Sequence, residues 1–200
     1  MKLRHIGFLV CSLALFSGCV SMQAVKDYSS YSHMTIESVN AVAKDFYFSC
    51  LRTNSYKPYG SHSECQNEQQ ASEAILAVAG VLDAYSTALG ALASNELIDY
   101  TADINKLSDE VKKLPSLDNE KVNVLGQLAA LIAKASTSAY QQKKIVKFVQ
   151  DGNDAVLAVS KILADLIETN YSNAITLELG AWESDYKRVE NTERDSRPLD

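Results

Sequence analysis

The sequence predicts an all-α protein, an elongated antiparallel bundle of about five helices with one disulfide. Three observations carry this expectation. Helix breakers are scarce, with 8 Gly and 3 Pro in 200 residues. Apolar residues recur at alternating steps of three and four along nearly the whole chain, which is the spacing of one buried helix face. Connections between these runs are short, and helices joined that way pack antiparallel, inclined by about 20°.

The first helix is expected over about Met22–Arg52, with Ile36, Val39, Ala43, Phe46 and Cys50 on one face. A polar stretch, Thr53–Glu64, follows and contains Pro58 and Gly60. Asn67, three residues before Gln70, suits the cap of a second helix. That helix carries Ile75, Val78, Leu82, Tyr85, Leu89 and Leu92, with Ala and Gly beside the seam so that neighbours can approach closely. Ser94-Asn95 marks a bend, and a third seam runs through Leu97, Tyr100, Ile104, Leu107, Val111 and Leu114 to Pro115-Ser116. Asp118-Asn119-Glu120 opens the fourth helix with acids where the helix dipole favours them. Its inward face is Leu125, Leu128, Ile132, Ala135 and Ala139, continued by Ile145, Phe148 and Val149 or followed by a separate short helix. Asp151-Gly152-Asn153 reads as a turn. The last helix is expected over about Asp154–Arg188, with Val156, Val159, Leu163, Leu166 and Leu177 inward and Trp182 as packing. Residues 22–190 thus form the bundle, and 191–200, polar and containing Pro198, form a fraying tail.

Ala74–Ala93 is apolar enough to suggest a membrane span, but Asp83, Tyr85, Ser86 and Thr87 lie in its middle. A charge there costs about 2.5–3.5 kcal/mol in lipid. The expectation is a buried helix in a bundle.

The N-terminus is organised differently. Lys2 and Arg4 precede an uncharged apolar run, Ile6 to Phe16, that is shorter than the roughly 20 residues a bilayer requires. Basic residues, a short apolar run and then small residues form a secretory signal. Ser17-Gly18-Cys19 resembles the lipobox of bacterial lipoproteins, with Phe16 where that family favours Leu. The resemblance covers only about the first 20 residues. It implies that residues 1–18 are a cleaved signal and residues 19–21 the anchor, with acyl chains on Cys19. At about 0.8 kcal/mol per buried CH₂, three such chains would hold the domain firmly at a membrane. Val20 stands where an Asp tends to retain such proteins at the inner membrane. The implied location is therefore the outer membrane of a Gram-negative bacterium, with the domain on the periplasmic side.

Composition narrows the partners. The net charge is −6, and losing Lys2 and Arg4 with the signal makes it more negative. An acidic domain lacks the basic footprint that nucleic acid requires. It equally disfavours electrostatic binding to anionic lipid, so membrane contact is assigned to the anchor. With Cys11 in the signal and Cys19 lipidated, Cys50 and Cys65 remain, and two leftover cysteines in an exported chain are expected to pair. Their spacing is too wide for a C-x-x-C redox motif. Two thiols with His33 and His62 at irregular spacing do not make a zinc site.

No H-E-x-x-H, phosphate-binding glycine loop or G-x-S-x-G occurs. The adjacent carboxylates Asp109-Glu110 and the pair Glu183 and Asp185 lie among lysines, as on a solvated face. The sequence therefore predicts no catalytic residue, no metal, no cofactor and no small-molecule substrate. The candidate binding element is the loop carrying Tyr56, Lys57 and Tyr59, because tyrosine supplies contact area at low entropic cost and a disulfide would stiffen the loop base. Lys143, Lys144 and Lys147 form a basic patch that reads as solvated. Asp83 and Lys134 are charges inside apolar stretches, able to face one another or to turn outward, and Asn170 could fix helix register.

These features predict a lipid-anchored envelope protein whose helical domain binds or scaffolds another envelope protein. The alternative is a periplasmic immunity lipoprotein, in which an acidic domain with a rigid aromatic loop would neutralise a basic toxin.

Overall fold

The computed structural model describes residues 22–58, 61–94, 96, 104–106, 109, 111, 117–137 and 145–195. The lipobox and Cys19, Tyr59 and Gly60, Leu97, Tyr100, Leu107 and Leu114, Ala139, Lys143 and Lys144, and residues 196–200 lie outside them. Four long helices are defined: α1 (Met22–Ser55), α2 (Gln66–Ser94), α3 (Asn119–Thr137) and α4 (Ile145–Asp195). Residues 104–106, 109 and 111, between α2 and α3, are also helical. The described residues contain no strand, and the fold is an all-α bundle.

The seams expected from the sequence form the core. On α1, Ile36, Ala43, Phe46 and Cys50 are buried, and on α2 all six seam residues from Ile75 to Leu92 are. Ile104 and Val111 are buried too, as are Leu125, Leu128, Ile132 and Ala135 of α3. Helix α2 is the central element and packs against α1, α3 and α4. It is the one described helix long and apolar enough to cross a membrane, and most of its apolar residues are buried by these three neighbours. Its alanines allow close approach, and Ser72 Oγ donates to the Ala43 carbonyl of α1 at 2.6 Å within the buried contact. Ser29 Oγ of α1 similarly donates to the Ser86 carbonyl at 2.8 Å.

Helix direction follows from these contacts. Along α1, Ser29, Ala43 and Cys50 meet Ser86, Ser72 and Cys65 in turn, so α1 and α2 are antiparallel. Helices α1 and α4 are parallel neighbours: Asp45 meets Tyr171 and Arg52 meets Glu178, each pair 126 residues apart. At 1.5 Å per residue α1 is about 50 Å long and α4 about 75 Å, so the bundle is elongated.

Several local expectations are corrected. Asp151-Gly152-Asn153 is not a turn, because α4 continues through it. Gly152 is buried, and a Cβ there would lie 2.8 Å from Tyr85 Cε2, 2.9 Å from the Tyr85 hydroxyl and 3.0 Å from Leu131 Cδ2. The glycine is a notch for a tyrosine ring. Asn67 is not the cap of α2. The helix begins at Gln66, and the Gln69 amide donates to the Cys65 carbonyl at 3.0 Å, so the disulfide cysteine occupies the cap. Asp118 caps α3 as its acidity predicts, accepting from the Lys121 amide at 2.9 Å. Helix α4 extends past Asn191 to Asp195. Val149 is exposed, Leu177 is 66% exposed and Trp182 47%, where inward positions were expected. Asn170 does not fix register across helices, since its Nδ2 donates to the Leu166 carbonyl of its own helix.

Candidate functional site

The disulfide closes one end of the bundle. Cys50 and Cys65 are bonded, with Cα atoms 5.9 Å apart. Asn54 organises the loop between them: its Nδ2 donates to the Ser63 carbonyl at 2.8 Å, and its Oδ1 accepts from the Ser63 amide at 3.0 Å and hydroxyl at 3.1 Å. Tyr56 and Lys57 are half-buried and, with Pro58, wall a groove of about 420 Å³ closed on its other side by Leu177, Gly180 and Ala181 of α4. Two of the three candidate binding residues thus face a groove, and Tyr59 lies outside the described residues. The Cys50 and Cys65 sulfurs and a Glu68 carboxylate oxygen lie within 4.8 Å of one another. Both sulfurs are committed to the S–S bond, so neither is the thiolate that a metal would require.

Beside this end lies a polar clasp that sequence reasoning missed. The Arg52 guanidinium donates to both Glu178 oxygens, from Nε at 2.5 Å and Nη2 at 2.9 Å, and to Asp45 from Nη1 at 2.8 Å. Ser49, fully buried, donates to Glu178 Oε2 at 2.6 Å, and the Tyr171 hydroxyl donates to Asp45 Oδ2 at 2.8 Å. Arg52 holds the Asp45 and Glu178 carboxyls below their usual range, with Tyr171 and Ser49 adding to the respective effects. The two carboxylates in turn raise Arg52, and the bond to Asp45 raises Tyr171. The charges satisfy one another, and the clasp locks α1 to α4. The signal was present in the spacing of Asp45, Ser49 and Arg52, one line on α1 beside the apolar seam. Its partners on α4 are 126 residues away and could not be assigned.

Toward the other end, residues of α1, α2 and α4 line a common surface. Two apolar grooves of about 310 and 530 Å³ share Tyr28, Tyr85 and Val156. Tyr85 stacks on Phe148 with ring centroids 5.0 Å apart, and burial pushes its phenol up to about 12. Asp83 turns to α1, where its Oδ1 is 2.8 Å from His33 Nδ1. That bond raises the His33 pKa, with a smaller contribution from Glu37. Of the expected basic patch, Lys147 pairs with Asp151 of its own helix at 2.8 Å. Asp185 likewise pairs with Arg188. The chain matches no protein-family model, no curated protein and no solved structure.

Proposed function

We propose that the protein is a lipid-anchored envelope protein, held through Cys19 at the outer membrane, whose non-catalytic helical domain docks another envelope protein. The observation that carries this reading is positional. The lipobox cysteine is three residues before Met22, the first residue of α1. A helix beginning so close to an anchor leaves little slack, so the bundle acts as a stiff arm rather than a tethered bead. The clasp and the disulfide then lie about 35–45 Å along α1 from the anchored end. Confinement to one membrane layer raises the effective concentration of two anchored partners, so a modest contact area suffices.

Membrane fractionation with palmitate labelling tests the anchor. The wild-type chain is expected in the outer-membrane fraction, labelled, with mature mass beginning at Cys19. The Cys19→Ser chain is expected unlabelled and uncleaved before residue 19. Equal labelling and processing of the two chains would remove the basis of the proposal.

A further inference from the structure

The outer half of α4 is built the wrong way round for a helix that only packs on α1. Its inner line is small or polar, with Ala174, Glu178 and Ala181 turned to the bundle. About 100° round the helix runs a second line: Ile175, Leu179, Trp182, Tyr186 and Val189. Each is between 39% and 60% exposed. Their steps are four, three, four and three, the spacing of a coiled-coil seam over two heptads. Trp182 and Tyr186 stack with centroids 5.8 Å apart, giving the middle of the seam one continuous aromatic face. Single exposed apolar residues are ordinary, but five at seam spacing on one helix form an interaction surface.

We propose that this seam is a docking surface for an amphipathic helix of a partner protein whose flanks carry Lys or Arg. The charges beside the seam select that occupant. In heptad terms the flanking positions are Thr176, Glu178, Glu183, Asp185, Glu190 and Thr192, with acids at four positions and bases at none. Glu178 is committed to Arg52 across the helices, whereas Asp185 and Glu190 pair only with Arg188 and Arg194 of their own exposed helix face, so the outer part of the seam is lined by Glu183 and by two acids whose weak surface pairs a partner's bases can exchange. A second copy of this chain would bring acid against acid in either orientation, which disfavours pairing. An anionic membrane surface meets the same repulsion. Basic flanks on a partner helix turn these residues into attraction that sets register and orientation. The seam also lies where an anchored protein can present it. With Ala24 and Val25 sharing a groove with Val149 near the start of α4, Ile175 to Val189 are about 40–60 Å along the helix from the anchored end.

The inference names the surface for the docking role proposed above, and a synthetic probe reads that surface without depending on the anchor. The probe is a fluorescein-labelled 21-residue helical peptide with Leu and Ile at seam positions and Lys at every flanking position. The control carries Glu at the flanks. Each is titrated by anisotropy against the full chain purified in a zwitterionic detergent, which keeps the chain in solution with or without acyl chains, with detergent alone as blank. The Lys peptide is expected to bind at least ten-fold more tightly than the Glu peptide, and to weaken as salt is raised. Leu179→Asp and Tyr186→Asp are expected to reduce binding ten-fold or more while leaving the thermal midpoint unchanged, because both side chains are exposed. Equal binding of the two peptides, absence of binding to either, or variants that bind like wild type would overturn the inference. So would sedimentation showing a wild-type dimer that Leu179→Asp dissolves, which would assign the seam to a second copy.

Discussion

Replacing Gly152 with Ala reverses the usual effect of that substitution in a helix. Ala is favoured over Gly in a helix interior by about 0.8–1.0 kcal/mol, so the change stabilises most helices. At Gly152 the new methyl would sit 2.8 Å from a ring carbon of Tyr85 and 3.0 Å from Leu131 Cδ2. The ring is 4% exposed and stacks on Phe148, so moving it off Gly152 costs that packing. Overpacking of this kind costs about 1–3 kcal/mol, which cancels the propensity gain and leaves a net destabilisation of up to about 2 kcal/mol. For a chain of this size that lowers the melting midpoint by up to about 8 °C. Gly126 and Gly180 are internal controls, since nothing lies within 4 Å of a Cβ at either. Gly180→Ala and Gly126→Ala are expected to raise the midpoint by about 1–4 °C. Thermal unfolding followed by circular dichroism measures all three. If Gly152→Ala stabilises as much as Gly180→Ala, the close approach of α2 and α4 at Tyr85 is wrong.

Three other perturbations test separate parts of the fold. Arg52→Ala strips both clasp carboxylates of their shared donor and is expected to cost about 1–2 kcal/mol in chemical unfolding, discounted for the partial exposure of Arg52 and Asp45. Because the folded pKa values of Asp45 and Glu178 lie below their unfolded ones, the contribution is present above about pH 4.5 and is lost as pH falls through the folded values, so the variant should show a flatter acid limb. His33 has the opposite sign: its folded pKa is raised, so its contribution is complete below about pH 6.5 and disappears as pH rises through the folded value. An NMR titration should find His33 above its ordinary value in wild type and closer to it in Asp83→Asn. Cys50→Ser opens a loop of 15 residues and should cost about 3 kcal/mol, with loss of the mobility difference between reduced and oxidised protein on a gel.

The core was legible because period is a local signal. Every seam residue proposed for α2 is buried, and Cys50 falls on the inward face of α1 as its spacing requires. The disulfide followed from cysteine arithmetic. What failed was punctuation and partnership. Asp151-Gly152-Asn153 has the composition of a turn, but the glycine answers to a ring on another helix, and no local pattern reports that. Leu177 is expected inward on the seam that runs through Leu166, and Trp182 as packing, yet that segment of α4 turns Ala174, Glu178 and Ala181 to the bundle and leaves its larger residues outside. The 3–4 pattern locates a seam without saying which neighbour covers it. The clasp was missed for the related reason that its charges come from two helices distant in sequence.

In the function proposed above, an anchored bundle presents its far end to a partner. Site-specific photo-crosslinking in growing cells, with the probe placed in turn at Leu179 and at the buried core position Leu128, tests it most directly. The account predicts a discrete protein adduct from Leu179, none from Leu128, and loss of the Leu179 adduct in the Cys19→Ser chain. A folded, abundant, membrane-bound chain that yields no protein adduct from Leu179, or one that persists unchanged when Cys19 is replaced, would contradict it.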